Sequence, residues 1–246
     1  MIAFIILYGL AGALVGVVLN ALIDRLPTGA NLLRGKIVCA QCGEPLSRLE
    51  LLPVLGYFIR RGRCRTCGAV VSVRVPAVEV AAVVAFGVLS WQLGPGVRLA
   101  IGTLYACLFV LIFVIDLERH LVLNKVIYPA ILAAPFLAWG WGLDPRHALI
   151  GGVAAFGALL LVAIVYPAGM GLGDVKLGAF VGLIAAWPDV VVALFMTIMA
   201  GGIVALGLLL ARLRGRKDPI AYATFLVIGA IIALTWGEQI RDWYFG

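Results

Sequence analysis

Residues 1–22 read MIAFIILYGLAGALVGVVLNAL. An α-helix needs about 20 apolar residues in a row to cross the hydrocarbon core of a bilayer. A cleaved secretory signal would carry a basic residue ahead of its apolar run and a small-residue cleavage site after it. This stretch has neither, so it reads as a helix that stays in the membrane. The rest of the chain agrees. Of 246 residues, 64% are apolar and 13% charged, and the mean hydropathy is +1.13. A soluble domain lies nearer half apolar and a quarter charged. Further apolar runs fall at 76–93, 97–115, 125–141, 147–168, 175–187, 189–211 and 220–237. Together they predict an all-α polytopic membrane protein of about eight transmembrane helices. The run at 175–187 is short and is bounded by Trp187, Pro188 and Asp189, which predicts a thin or broken span.

The net charge of +7 would suggest nucleic acid in a soluble protein. In a membrane protein the position of each charge carries more information, because Lys and Arg collect on the cytoplasmic side. With the N-terminus outside and eight alternating spans, residues 24–75 lie inside and hold nine of the 19 basic residues. Arg119, Lys125, Lys176, Arg212, Arg214, Arg216 and Lys217 also fall inside, which leaves only Arg98, Arg146 and Arg241 outside. The partner implied is the lipid bilayer and not nucleic acid. This topology places Asp116 and Asp174 at the same cytoplasmic depth, on separate helices.

Residues 24–75 form the one sizeable polar segment, too short for a good apolar core without a staple. Cys39-Ala40-Gln41-Cys42 and Cys64-Arg65-Thr66-Cys67 supply one. A CxxC turn aims two thiolates at one point, and two such turns complete a tetrahedral zinc site. Gly43 and Gly68 follow the two pairs, as tight metal-binding knuckles require. Two disulfides would fit the same count, but a cytoplasmic loop is reducing. Four thiolates leave no open position, so the zinc is structural. The fifth cysteine, Cys107, lies within a span and reads as an inert apolar side chain.

Asp174 stands in GMGLGDVKL, residues 169–177, after three glycines that let the backbone turn and approach another chain. It opens an apolar segment, where the helix dipole favours an anion; an ordinary N-cap would fit the same pattern. Asp116 ends an earlier span and begins DLERHLVLNKVIYP. Two carboxylates at one depth can share a proton, one acting as base and the other as acid on a peptide bond. Glu79, three residues past Pro76, is an acid inside a span, and such acids are functional by default. Lys176 and His120 read as headgroup-facing groups, and Trp243, Tyr244 and Phe245 as an interfacial aromatic belt.

These motifs, taken in order, resemble those of the bacterial type IV prepilin peptidases, aspartic membrane proteases of the GxGD class. GVVLNALIDRLP at 16–27 is similar to the family's opening pattern. So are the segment around the second cysteine pair, Asp116 with Leu121, Asn124 and Pro129, and GMGLGDVKL. Leu123 stands where a proline is common, and Ala40-Gln41 lacks the proline often found between the first cysteines. In IAYATFL, residues 220–226, Thr224 takes the place of another proline. The resemblance implies that Asp116 and Asp174 form a catalytic pair. It would remove the leader of prepilins or pseudopilins at the cytoplasmic face of the bacterial inner membrane. It also implies a second activity, methylation of the new amino terminus with S-adenosylmethionine, and marks Glu79, Asn20 and Arg25 as candidates for that cofactor. No glycine-rich dinucleotide fingerprint offers another place for it. The implied division is 1–23, the first transmembrane helix; 24–75, a cytoplasmic four-cysteine zinc domain; and 76–246, an aspartic protease core of about seven spans. Two other readings use the same residues: an ion-coupled transporter with Asp116, Asp174 and Glu79 as its path, and a non-enzymatic scaffold for pilus or secretion assembly.

Overall fold

The computed structural model describes residues 1–29, 39, 41–45, 47, 52–167, 169–211 and 221–245, without the side chains of Tyr244 and Phe245. Arg34, Lys36, Arg48, Arg212, Arg214, Arg216 and Lys217 of the charge count, and the start of IAYATFL, lie outside these residues. Nine helices appear among the described residues: α1 (Ile2–Arg25), α2 (Leu55–Ile59), α3 (Arg74–Leu93), α4 (Val97–Arg119), α5 (Asn124–Trp141), α6 (Pro145–Val165), α7 (Leu172–Ala185), α8 (Asp189–Leu210) and α9 (Tyr222–Phe245). Eight of them coincide with the eight apolar runs, and α2 is a single turn inside the cysteine segment. Six, namely α1, α3, α4, α6, α8 and α9, are long and apolar enough to cross a membrane.

The chain divides into two compact units, Met1–Leu111 and Ile112–Gly246, with the division inside α4. In the first unit α1 lies along α3. Glycines make the approach close: a Cβ on Gly12 would sit 2.7 Å from the Ala82 carbonyl oxygen, and one on Gly16 2.7 Å from the Glu79 Cα. Small residues play this part between membrane helices because lipid supplies no hydrophobic drive to hold them together. The opposite face of α1 carries Leu7, Leu10, Leu14 and Val18, all exposed, as a lipid-facing surface should.

In the second unit α7 packs against α5, α6, α8 and α9. Leu177, Phe180 and Val181 on it are fully buried. A helix apolar on every side belongs in the interior. Its 14 residues reach only about 21 Å, less than the bilayer core needs. The short run is therefore a helix enclosed by protein, and the bilayer does not have to thin around it. Against α6 it approaches so closely that a Cβ on either Gly151 or Gly182 would collide with the other's carbonyl oxygen. At the far end, Arg241 of α9 forms a 2.8 Å ion pair with Asp189 at the start of α8.

Candidate active site and metal centre

Asp116 occupies the last turn of α4 and is 3% exposed. Its Oδ2 accepts the Thr224 backbone N–H at 3.0 Å and the Thr224 hydroxyl at 3.2 Å. The N–H is free to do this because Thr224 lies in the first turn of α9, where no intrahelical acceptor exists. His120 stops α4 with a left-handed backbone, φ 51. It is exposed and lies within electrostatic range of Asp116.

Asp174 is the third residue of α7, and its Oδ2 accepts the Gly171 N–H at 3.2 Å, the reaching-back half of a capping box. The ordinary capping role is thus present. The carboxyl group is also within the electrostatic field of Asp116, and Tyr222 of α9 lies within its own. The start of α9 therefore reaches both carboxyl groups, hydrogen-bonded to Asp116 through Thr224 and within electrostatic range of Asp174 through Tyr222. The glycines ahead of Asp174 act by their size: none has a left-handed backbone. A Cβ on Gly173 would meet the Val122 Cβ at 3.0 Å, so this glycine lets α7 close on the segment that follows Asp116. Lys176, expected among headgroups, donates to Asn124 Oδ1 at 3.0 Å and sits 4.9 Å from the Tyr128 ring centroid, bracing α7 against α5.

The four cysteines of the two CxxC turns converge. Their sulfur atoms lie within 4.8 Å of one another, with Cys39 and Cys67 at 3.9 Å. Tetrahedral zinc with Zn–S bonds of about 2.3 Å sets its sulfurs about 3.8 Å apart, and none of the four is in a disulfide. The two turns are built alike. Cys39 N–H donates to Glu44 and Gly43 N–H to Cys39; Cys64 N–H donates to Ala69 and Gly68 N–H to Cys64. Gly43 and Gly68 share φ 69, the left-handed conformation that favours glycine. Backbone N–H groups of Cys42 and Gln41 draw the Cys39 thiol down to about 7. Cys107 stands apart in α4.

The three cofactor candidates separate. Glu79 is 6% exposed, and its Oε2 accepts the Val54 N–H at 2.6 Å. Val54 has φ 59, a costly conformation for a β-branched residue that persists only when its surroundings enforce it. Asn20, 7% exposed, donates from Nδ2 to the Val75 carbonyl at 3.0 Å, while its Oδ1 has no partner. Both residues line one cavity of the first unit, and Arg25 does not. Sequence reasoning missed Thr224 and Tyr222, which stand near the two carboxyl groups. For Thr224 the signal was present: a hydroxyl where the resembled pattern has proline.

The fold and these groups define a class: a helical membrane protein with two carboxyl groups within electrostatic range of one another and a cluster of four cysteines able to hold a metal ion. The chain belongs to the type IV leader peptidase family. The model of that family matches residues 103–206, and the model of the bacterial peptidase A24 N-terminal domain matches residues 10–93. A prepilin leader peptidase/N-methyltransferase of Aeromonas salmonicida strain A449 is 31% identical over 222 residues, 87% of this chain and 76% of that one. Proteins of the same name from Pseudomonas aeruginosa and Bacillus subtilis are 28% and 25% identical. They cover 99% and 89% of this chain, and 94% and 89% of their own lengths. No solved structure matches the chain.

Proposed function

We propose that this chain is a membrane aspartic endopeptidase that removes the leader of type IV prepilin-like proteins and then N-methylates the new amino terminus. The observation that carries this reading is that Asp174, on a helix separate from that of Asp116, lies within the electrostatic range of Asp116 in a member of this family. Two carboxyl groups in each other's field do not both ionise readily, so one keeps a proton. Two donors aimed at Asp116 Oδ2 suit an anion, and Asp116 is assigned the base. It takes a proton from water as the oxygen attacks the scissile carbonyl carbon. Asp174 gives its proton to the carbonyl oxygen. When the C–N bond breaks, the leaving amine takes the proton held by Asp116, and Asp174 recovers one from the tetrahedral hydroxyl.

Both carboxyl groups belong at the cytoplasmic face, the end of α4 and the beginning of α7, in the orientation favoured by sixteen of the 19 basic residues. There a basic leader is within reach and water is available. Residues 1–23 make the membrane-crossing part of α1, which runs on to Arg25; residues 24–75 form a zinc module held by Cys39, Cys42, Cys64 and Cys67, and residues 76–246 carry the proteolytic core. S-adenosylmethionine supplies the methyl group for the second step.

The test is cleavage of a detergent-solubilised prepilin by wild type, Asp116→Asn and Asp174→Asn with S-adenosylmethionine present, read by product mass. Each variant should fold and lose about 10³-fold or more in rate. The wild-type product should be heavier by one CH₂. Folded variants that cleave at the wild-type rate would reduce the carboxyl groups to helix caps.

A further inference from the structure

The first unit encloses a cavity of about 330 Å³, within the range of sites that hold a small molecule. Its wall is made by the last turns of α1, the cysteine segment, α2 and the first turns of α3. Two polar atoms of its lining residues are unanswered. Asn20 Oδ1 is buried without a donor, and Arg60 Nε is buried without an acceptor. Native proteins rarely leave such groups unpaired, and each one calls for an explanation. Glu79 and Asp24 add carboxylates to the wall, Asp24 held by Arg74, Arg63 adds a further cation, and Tyr57 adds an aromatic ring.

An apolar ligand would leave both orphans unsatisfied, and a polyphosphate, which brings only acceptors, would leave Asn20 Oδ1 without a donor. A zwitterion with a further positive centre and a flat ring answers both orphans, Glu79 and the Tyr57 ring together. We propose that this cavity binds S-adenosylmethionine, with Asn20 Oδ1 accepting from its ammonium and Arg60 receiving its carboxylate. Glu79 provides the negative field that a sulfonium requires, Asp24 being paired with Arg74 at 2.8 Å, and Tyr57 provides a face for adenine. The assignment rests on the methyltransferase reading and deepens it. It keeps Asn20 and Glu79 of the sequence candidates and replaces Arg25 by Arg60. Cys39 and Cys64 also border the cavity, so the metal module forms part of the same wall.

The experiment is equilibrium binding of radiolabelled S-adenosylmethionine to the purified full-length protein in detergent, without prepilin. Asn20→Leu and Arg60→Gln should each weaken binding by about tenfold, the loss of one hydrogen bond to a charged group. Leu52→Trp is a steric probe: Leu52 lines the cavity but is 42% exposed, so a larger ring there should block binding with the buried core untouched. Zinc content and melting temperature establish that each variant is folded. Folded variants that all bind as tightly as wild type overturn the assignment. If that wild type also yields N-methylated product, the methyltransferase reading stands and only the location fails. A wild type that neither binds the compound nor methylates prepilin overturns both.

Discussion

Replacing Gly173 by alanine places one methyl group where α7 passes the segment after Asp116. The new Cβ would lie 3.0 Å from the Val122 Cβ and 3.4 Å from its Cγ2. Carbon atoms rest about 3.5–4.0 Å apart, so the two segments must part by roughly 0.5–1 Å. The body of α7 resists the shift, because Leu177 and Phe180 are fully buried and four helices surround it. The displacement therefore falls on its first turn, which carries Asp174, and on the segment around Val122. A shift of this size at a catalytic group costs about 10- to 100-fold in rate. Stability should change much less. Alanine regains up to about 1 kcal/mol of helix propensity, against an overpacking cost of about 1–3 kcal/mol. The expected result is a 10- to 100-fold fall in the initial rate of prepilin cleavage, with the melting temperature lowered by no more than about 6 °C. Adding Val122→Gly removes both offending carbons and should restore most of the rate. A Gly173→Ala protein that cleaves at the wild-type rate would refute the reasoning. So would one whose loss of rate persists in the double variant.

Two further outcomes are expected. Thr224→Val keeps the backbone donor to Asp116 and loses the hydroxyl, which should lower kcat/KM about tenfold. Thr224→Ser should restore the rate, and Thr224→Pro, which removes both donors, should fall below Thr224→Val. Native mass spectrometry should find one zinc per chain in the wild type and none after Cys64→Ser. Structural zinc contributes about 10–16 kcal/mol to the folding of small modules, so trypsin should then cut at Arg60, Arg61, Arg63 and Arg65 in the variant alone.

The features legible in the sequence were those fixed by local pattern. Eight apolar runs became eight helices because apolar length alone determines where a chain enters lipid. The four cysteines converged because a CxxC turn sets the direction of both sulfurs within four residues. Even the short run before Trp187 was visible as short. Its meaning was not, since whether such a helix is thin or enclosed depends on neighbours remote in the chain. Thr224 stood out only as a departure from a pattern, and α9 lies beyond the region that the family model matches. Its contribution to Asp116 is partly a backbone N–H, which carries no residue identity to read. The same holds for Val54 at Glu79. The unpartnered oxygen of Asn20 depends on which donors α3 does and does not present.

The three membrane-associated acids share a mode of anchoring. Asp116 accepts from Thr224, Asp174 from Gly171 and Glu79 from Val54. Each donor is a main-chain N–H at the start of a helix, in the first turn of α9 for Thr224 and at the residue just before α7 and α2 for Gly171 and Val54, where the helix itself provides no acceptor. An acid close to lipid is costly, and so is an unpaired N–H. Joining the two relieves both and fixes the carboxyl group to an element other than its own helix, or to the turn before it. The consequence concerns how these acids should be probed. Asparagine or glutamine keeps an oxygen for the N–H and alters only the ionisable chemistry. Alanine strands the donor and loosens the helix start with it, at a cost of about 1–3 kcal/mol. Loss of cleavage in an alanine variant of Asp116 therefore cannot separate chemistry from the position of α9. The same loss in Asp116→Asn, with the melting temperature retained, assigns it to the carboxylate.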